Sequence, residues 1–249
     1  MTQQKPIIGC LALQGAVELH RPHVEACGAT FKAVKTPAQF EEVDGFILPG
    51  GESTTMLKLI ERFDLWDVLA KQFAKKPVWG ICAGSILMAE TVLVSLPSSS
   101  RWRASSEALA PPLSRGQALG SGKDEPQSGS HMDPRRLSVP SERRGDDRPV
   151  LQKSFGLLPI TVQRNGYGRQ IDSHHALIDG YEVSLIRAPV ITAVDDSVEV
   201  LARHEDTPIW VKRGAYMAST FHPELTQDFP SPMHKAFIEI VRSSVQSAS

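Results

Sequence analysis

The sequence predicts an α/β fold of three layers, in which a mostly parallel sheet is covered by helices on both faces. Over the first 94 residues, apolar runs of strand length alternate with helical segments, and this alternation is typical of βαβ units. After residue 155 the pattern becomes rich in strands. With 249 residues, of which 41% are hydrophobic, the chain is long enough to bury one sizeable core.

The order of these elements places two strand ends where a site is expected. Ligands of such sheets bind beyond the carboxyl ends of the strands, so the residues that follow predicted strands 45–49 and 77–81 should meet at one edge. The other predicted strands of this part are 7–13 and 30–34, and its predicted helices are 16–27, 54–74 and 83–94. Later strands are predicted at 157–163, 182–187, 190–194, 197–203, 208–212 and 215–220, followed by a closing helix at 233–245.

Residues 95–149 interrupt this pattern. These 55 residues contain 12 Ser, 7 Pro and 5 Gly and few large aliphatic side chains, so they bury too little apolar surface to offset the entropy lost on ordering. We therefore predict a single domain, 1–249, interrupted by a flexible low-complexity insertion at 95–149. The insertion is interpreted as a tolerated surface loop. A partner-docking arm is an alternative, and so is a regulated segment, since Arg-Arg-Leu-Ser at 135–138 has the pattern of a basic phosphorylation site.

Replacing residues 95–149 by a short Gly/Ser linker should change the free energy of unfolding by no more than about 1 to 2 kcal/mol, because loop-closure entropy varies only with the logarithm of loop length. Chemical denaturation of the intact and shortened chains measures the difference. Loss of the cooperative transition in the shortened chain would show that the segment packs into the core.

The pentapeptide Gly-Ile-Cys-Ala-Gly at 80–84 has the pattern of a nucleophile elbow. It follows the apolar run Pro-Val-Trp and precedes a predicted helix, so a strand delivers Cys82 to the sheet edge through a tight, strained turn. The flanking Gly80 and Gly84 lack the Cβ atoms that would clash there. Backbone N–H groups and the dipole at the start of the helix favour the thiolate. The alternative reading of Cys82 is a small buried core residue.

A base for this nucleophile is found in Thr-Phe-His-Pro-Glu at 220–224. His222 ends an apolar stretch and Glu224 lies two residues further on, so the carboxylate can reach back and orient the imidazole. The order Cys82, His222, Glu224 has the logic of a catalytic triad. Taken alone, His-Pro-Glu would equally suit a solvated pair in a surface turn.

A third element, Pro-Gly-Gly-Glu-Ser at 49–53, comes at the end of the predicted strand 45–49. Two glycines after a strand let backbone N–H groups approach a ligand closely, and in acyl transfer such groups form the oxyanion hole. Ser53 is equally suited to be the N-cap of the helix that follows.

Composition excludes several classes of function. The net charge of −1 gives no basis for nucleic-acid binding. Three cysteines without paired spacing, no signal peptide and no apolar run near 18 residues predict a reduced, soluble, cytoplasmic protein without membrane contact. No cluster has metal-ligand spacing, and His174 and His175 are expected in a polar turn. We predict neither a metal nor a cofactor, because no Schiff-base lysine or phosphate loop is recognisable.

Together these motifs resemble the class I, or triad, glutamine amidotransferases and, more narrowly, the glutaminase subunits of pyridoxal 5′-phosphate synthases. The elbow and His-Pro-Glu occur throughout that superfamily, whereas Arg-Asn-x-Tyr-Gly-Arg-Gln at 164–170 and Ile-Arg-Ala-Pro at 186–189 point to these subunits. The resemblance implies a flavodoxin-like sheet and covers 7–94 and 153–244, with a much shorter connection where this chain has its insertion. Further matching segments are 11–16, 48–55, 156–158 and 219–226.

The resemblance also implies a mechanism and a substrate site. Cys82 attacks the side-chain amide carbon of glutamine, His222 transfers the protons and Glu224 fixes the imidazole tautomer. The N–H groups of Gly51 and Ala83 hold the oxyanion. An arginine suits the α-carboxylate of the substrate, because a guanidinium can bind it through two hydrogen bonds. The glutamine-binding residues carried over by motif are Gly51, Glu52, Ser53, Arg164, Ile186 and Arg187.

The chain has no second catalytic domain that could consume ammonia, so a separate synthase subunit is expected. The resemblance identifies this partner as a (β/α)8-barrel protein that makes pyridoxal 5′-phosphate. Two alternatives stay open. One is a γ-glutamyl hydrolase or cysteine peptidase on the same scaffold, and the other is a catalytically silent regulatory subunit.

Overall fold

The computed structural model of the protein describes residues 5–94, 151–164, 174–178 and 180–247. The predicted insertion at 95–149 lies outside these residues, as do positions 165–170 of the motif that begins at Arg164. All of the described residues belong to one compact unit.

The structure contains twelve strands and six α-helices in its described residues. The strands are β1 (Ile7–Leu11), β2 (Thr30–Val34), β3 (Gly45–Leu48), β4 (Val78–Ile81), β5 (Ala89–Leu93), β6 (Leu158–Gln163), β7 (His174–Ile178), β8 (Tyr181–Leu185), β9 (Val190–Val194), β10 (Glu199–His204), β11 (Thr207–Arg213) and β12 (Tyr216–Ser219). The helices are α1 (Arg21–Ala26), α2 (Pro37–Glu41), α3 (Ser53–Arg62), α4 (Trp66–Phe73), α5 (Ala83–Met88) and α6 (Pro232–Ser247), with 3₁₀ turns at Glu18–His20 and Pro223–Leu225.

The central sheet has seven strands in the order β10-β11-β12-β4-β3-β1-β2. Strands β2, β1, β3, β4 and β12 run parallel, and β11 and β10 extend the sheet in antiparallel fashion. Two smaller sheets, β5-β6-β9 and β7-β8, complete the structure. The predicted α/β class with a mostly parallel sheet is confirmed.

Side chains on the two faces of the sheet enter two separate cores. Phe46 and Leu48 of β3 point to the first core, which also contains residues of α3, α4 and α5, while Ile47 points to the second. Val78 and Trp79 of β4 divide in the same way. Because strand side chains alternate, a strand covered on both faces must be apolar throughout, and the four residues of β3 and of β4 are all buried. Helices α1 and α6 line the second core.

Three local predictions differ from the structure. The helix predicted at 83–94 ends at Met88, because Ala89 turns to extended backbone (φ −65°, ψ 145°) and Thr91 and Val92 pair with β6. Short helix α2 was not predicted, although Thr36 and Gln39 form a capping box at its start. The polar turn expected around His175 is strand β7 instead.

Two expected absences concern the described residues only. In this part of the chain, no helix is both long enough and apolar enough to cross a membrane. Over the same residues, no group of His, Cys, Asp and Glu side chains is arranged to hold a metal ion.

Candidate active site

Cys82 occupies a strained turn between β4 and α5. Its backbone has φ 50° and ψ −104°, in a region that costs a residue with a side chain about 1 to 3 kcal/mol. Hydrogen bonds hold both sides of the turn: the N–H of Cys82 donates to the carbonyl of Ser219 at 2.8 Å, and the hydroxyl of Ser85 donates to the carbonyl of Cys82 at 2.7 Å. The surrounding sheet thus imposes the geometry that a nucleophile elbow needs.

The two glycines of the elbow are required by close packing. A Cβ atom on Gly80 would lie 2.5 Å from the carbonyl oxygen of Gly84, and one on Gly84 would lie 2.0 Å from the carbonyl oxygen of Leu48. Both distances are far inside van der Waals contact with backbone atoms. The steric reason predicted for the flanking glycines agrees with this geometry.

His222 and Glu224 follow β12, the strand that pairs with β4 on the side away from β3. The pairing of Ser219 with Ile81 brings His222 to the same sheet edge as Cys82. The N–H of His222 donates to the carbonyl of Ser184 at 2.8 Å, which fixes the backbone. The Nδ1 atom of His222 lies 2.7 Å from Oε1 of Glu224, whose side chain is fully buried.

The electrostatics of these groups favour a charged pair. Burial lowers the pKa of His222, but its hydrogen bonds with Cys82 and Glu224 outweigh burial and raise this pKa to about 10. Burial raises the pKa of Glu224, but the hydrogen bond from His222 and the nearby His20 lower it below its usual value. These hydrogen bonds thus favour the protonated form of His222, which lies beside the sulfur of Cys82.

The loop that follows β3 packs its glycines directly against the site. A Cβ atom on Gly50 would lie 2.3 Å from Cε1 of His222, and one on Gly51 would lie 2.5 Å from Oε1 of Gln14. The same Oε1 atom accepts a hydrogen bond from the N–H of Glu52 at 2.9 Å. Gln14 therefore holds the loop in place. It was not predicted as a site residue, although its position just after β1, at the same sheet edge, is a signal that could have identified it.

Glu52, rather than Ser53, caps helix α3. Its carboxylate accepts hydrogen bonds from the N–H groups of Thr54 at 3.2 Å and Thr55 at 2.7 Å, so the capping role expected for Ser53 is wrong. Burial raises the pKa of Glu52, but the hydrogen bonds from Thr54 and Thr55 outweigh burial and lower this pKa to about 2. The Glu52 carboxylate is therefore charged at neutral pH.

Arg164 binds the Glu52 carboxylate that caps helix α3. Its Nη2 donates to Oε1 of Glu52 at 3.0 Å and its Nη1 donates to Oε1 of Gln152 at 2.7 Å. The Ser53 hydroxyl donates to the same Gln152 oxygen at 3.3 Å. The predicted residues Glu52, Ser53 and Arg164 thus form one connected wall, with Gln152 as a link that the sequence did not reveal.

Residues of the elbow, of the loop after β3 and of the wall line one cavity of about 360 Å³, a volume in the range of small-molecule sites. Glu224 lies behind His222 and does not line it. Arg187 has a positive φ of 47°, so its backbone is strained where it meets the cavity. The predicted residues that line the cavity are Gly51, Glu52, Ser53, Cys82, Ala83, Arg164, Ile186, Arg187 and His222, and the lining residues that were not predicted are Gln14, Ile86 and Pro189.

Comparison with known proteins identifies the family. The profile of the SNO glutamine amidotransferase family matches residues 10–99 and 143–243. The pyridoxal 5′-phosphate synthase subunit PdxT of Bacillus anthracis (strain CDC 684 / NRRL 3495) is 37% identical over 245 residues, 95% of this chain and 95% of that protein. The PdxT subunit of Geobacillus kaustophilus (strain HTA426) is 35% identical over 250 residues, 97% of this chain and 98% of that protein. A crystal structure of a glutamine amidotransferase, 29% identical, covers 94% of this chain and 98% of its own with a TM-score of 0.64. The chain therefore belongs to the SNO glutamine amidotransferase family.

Proposed function

We infer that this chain is the glutaminase subunit of a pyridoxal 5′-phosphate synthase. It hydrolyses L-glutamine to L-glutamate and ammonia, and the ammonia serves a separate synthase subunit in vitamin B6 biosynthesis. The relatives that bear this subunit name align with this chain over 95% or more of its length. The single observation that carries the chemistry is the strained Cys82, which shares one cavity with His222.

We propose the following steps for the triad. The Cys82 thiolate forms a bond to the amide carbon, and the carbonyl becomes an oxyanion. The His222 imidazolium gives its proton to the departing nitrogen, which leaves as ammonia when the C–N bond breaks. Water then attacks the thioester carbon and gives one proton to His222, and the C–S bond breaks. Glutamate leaves after its new carboxyl group loses a proton to solvent, which restores the Cys82 thiolate and the His222 imidazolium. Glu224 holds the Nδ1 side of the imidazole throughout.

The oxyanion and the substrate backbone need their own partners. We propose the N–H groups of Gly51 and Ala83 for the oxyanion. For the α-carboxylate of glutamine, Arg187 is the better placed arginine. None of the residues described by the structure makes a hydrogen bond or ion pair with its guanidinium, whereas Arg164 is bound to Glu52 and Gln152. Arg164 then shapes the wall, together with Ser53 and Ile186.

Four further features complete the proposal. The chain is one amidotransferase domain interrupted by the insertion at 95–149, in keeping with the family profile, which leaves 100–142 unmatched. The synthase partner is a (β/α)8-barrel protein. No cofactor is assigned to this chain, and its cytoplasmic location stays a prediction.

Substrate choice tests this function. In the presence of the synthase subunit, kcat/KM for glutamine should exceed that for γ-glutamyl dipeptides by at least about 100-fold, because an added residue beyond the leaving nitrogen does not fit a site built for a primary amide. Glutamate release from both substrates measures the ratio. A preference for the dipeptides would indicate a γ-glutamyl hydrolase, and turnover of neither would indicate a silent regulatory subunit.

A further inference from the structure

Three buried histidines lie behind the candidate triad. His20, His23 and His234 are fully buried, and they come from opposite ends of the chain. Nδ1 of His20 lies 3.0 Å from Nε2 of His234, and Nδ1 of His234 lies 2.6 Å from the hydroxyl oxygen of Ser231. The rings of His23 and His234 are stacked, with centroids 4.3 Å apart. The mechanism above uses none of these side chains.

Burial keeps the cluster neutral. It lowers the pKa of His20 to about 4 and lowers the pKa values of His23 and His234 as well. A neutral imidazole carries one proton on one of its two nitrogens, and its hydrogen bonds decide which. The N–H of Ser231 donates to Nδ1 of His23, so the proton of His23 is on Nε2.

The hydrogen bonds that link Ser231 to His234 and His234 to His20 form a chain of donors and acceptors. The protons of this hydrogen-bond chain have two consistent arrangements. In one, the Ser231 hydroxyl donates to His234, His234 donates to His20, and His20 carries its proton on Nε2. In the other, every donor is reversed, and Nε2 of His20 is a bare lone pair. The two arrangements therefore differ in what Nε2 of His20 presents to its surroundings.

The 3₁₀ turn Glu18–His20 contacts the 3₁₀ turn Pro223–Leu225, which brings Glu224 close to His20. Nε2 of His20 and Oε2 of Glu224 are both buried, and neither has a hydrogen-bond partner among the described residues. Each group influences the other electrostatically. A bare lone pair facing a carboxylate is repulsive, whereas an N–H is attractive, and a buried unpaired oxygen is costly. A negative charge on Glu224 therefore favours the arrangement with the proton on Nε2 of His20.

We propose that His20 is a positioning residue for the triad: its Nε2–H, fixed by the Ser231–His234 chain, is directed to Oε2 of Glu224 and holds the carboxylate against His222. This proposal rests on the proposed triad. The titratable groups that influence Glu224 from the elements around it are His222, His20, His23, Cys10 of β1 and Tyr181 of β8. Of these, only His222 is hydrogen-bonded to its carboxylate in the described residues, through Oε1.

A matched pair of substitutions tests the role. An asparagine amide can replace Nδ1 of histidine but cannot reach Glu224, whereas a glutamine amide can replace Nε2. In the complex with the synthase subunit, His20→Asn should lower kcat about tenfold with KM unchanged. The acid limb of its pH profile should move up by about one pH unit, because Glu224 loses a donor that stabilises its charged form. His20→Gln should keep kcat within about threefold and keep the limb in place.

A second measurement needs no variant. Nitrogen-15 NMR of the histidine rings in the full chain distinguishes protonated from bare nitrogens, and we expect the proton of His20 on Nε2. A proton on Nδ1 would overturn the proposal even if His20→Asn failed to fold. So would wild-type kinetics in His20→Asn, or equal losses in both variants without movement of the acid limb. The tautomer is read without turnover, so it does not depend on whether Cys82 is the nucleophile.

Discussion

Cys82→Ala is expected to lower kcat for glutamine at least about 1000-fold in the complex with the synthase subunit, because the variant lacks the atom that forms the covalent bond to the substrate. The fold should remain intact. Alanine keeps the Cβ atom that the turn at φ 50° already accommodates, and the change removes one sulfur and no backbone contact. Glutamate release at saturating glutamine measures the loss.

The controls separate chemistry from stability. Cys27→Ala, at a half-buried cysteine that does not line the cavity, should retain wild-type activity. Isothermal titration of Cys82→Ala should still detect glutamine binding, because the substrate contacts proposed for Arg187 and the glycine loop are unchanged. Residual activity above about one thousandth of wild type would argue against a cysteine nucleophile.

Saturation with the synthase subunit is expected to raise kcat for glutamine several hundredfold. We propose that the oxyanion hole is incomplete until docking reorients the peptide bond between Gly50 and Gly51 and presents its N–H to the substrate oxygen. One such donor contributes about 3 to 4 kcal/mol, which corresponds to the expected rise. In the structure, the carbonyl of Gly50 accepts a long hydrogen bond of 3.3 Å from the N–H of Ala16, so this bond offers little resistance to reorienting the peptide.

The measurement is kcat of the isolated subunit against kcat at saturating synthase. Gly51→Ala provides a sharper version, because its Cβ atom would lie 2.5 Å from Oε1 of Gln14 and displace the side chain that holds the loop through the N–H of Glu52, so activation should be lost. Equal rates with and without the synthase would contradict the gating, although they would leave the triad untouched.

Local patterns predicted most of the elements on which the candidate site stands. Strand β2 was predicted with its observed bounds, and the residues after β3 and β4 do meet at one edge, because parallel strands bring their carboxyl ends together. Strand β5 was mistaken for helix because its pairing with β6 depends on residues about 70 positions away, and no local pattern encodes that contact.

Site residues were missed for the same reason, because their contacts are with residues that are distant in the sequence. Gln14 acts on Glu52 from 38 positions away, and His20 meets His234 across 214 positions. No local pattern marks His20 for such a contact, and Gln14 is marked only by its position just after β1, at the sheet edge of the site. By contrast, Cys82 could be identified because glycines flank it. The structure explains one of them, Gly84, by its close packing against the carbonyl oxygen of Leu48.

The pairing of β4 with β12 also determines how long one edge of β4 stays unpaired while the chain is synthesised. Trp79 and Ser219, which are hydrogen-bonded to each other, lie 140 positions apart, so a nascent chain carries β4 with one bare edge while those residues are translated. At 5 to 20 residues per second, this interval lasts roughly 7 to 28 s. The segment 95–149 alone accounts for roughly 3 to 11 s of it. Translation of this segment therefore lengthens the time for which one edge of β4 is unpaired on the ribosome.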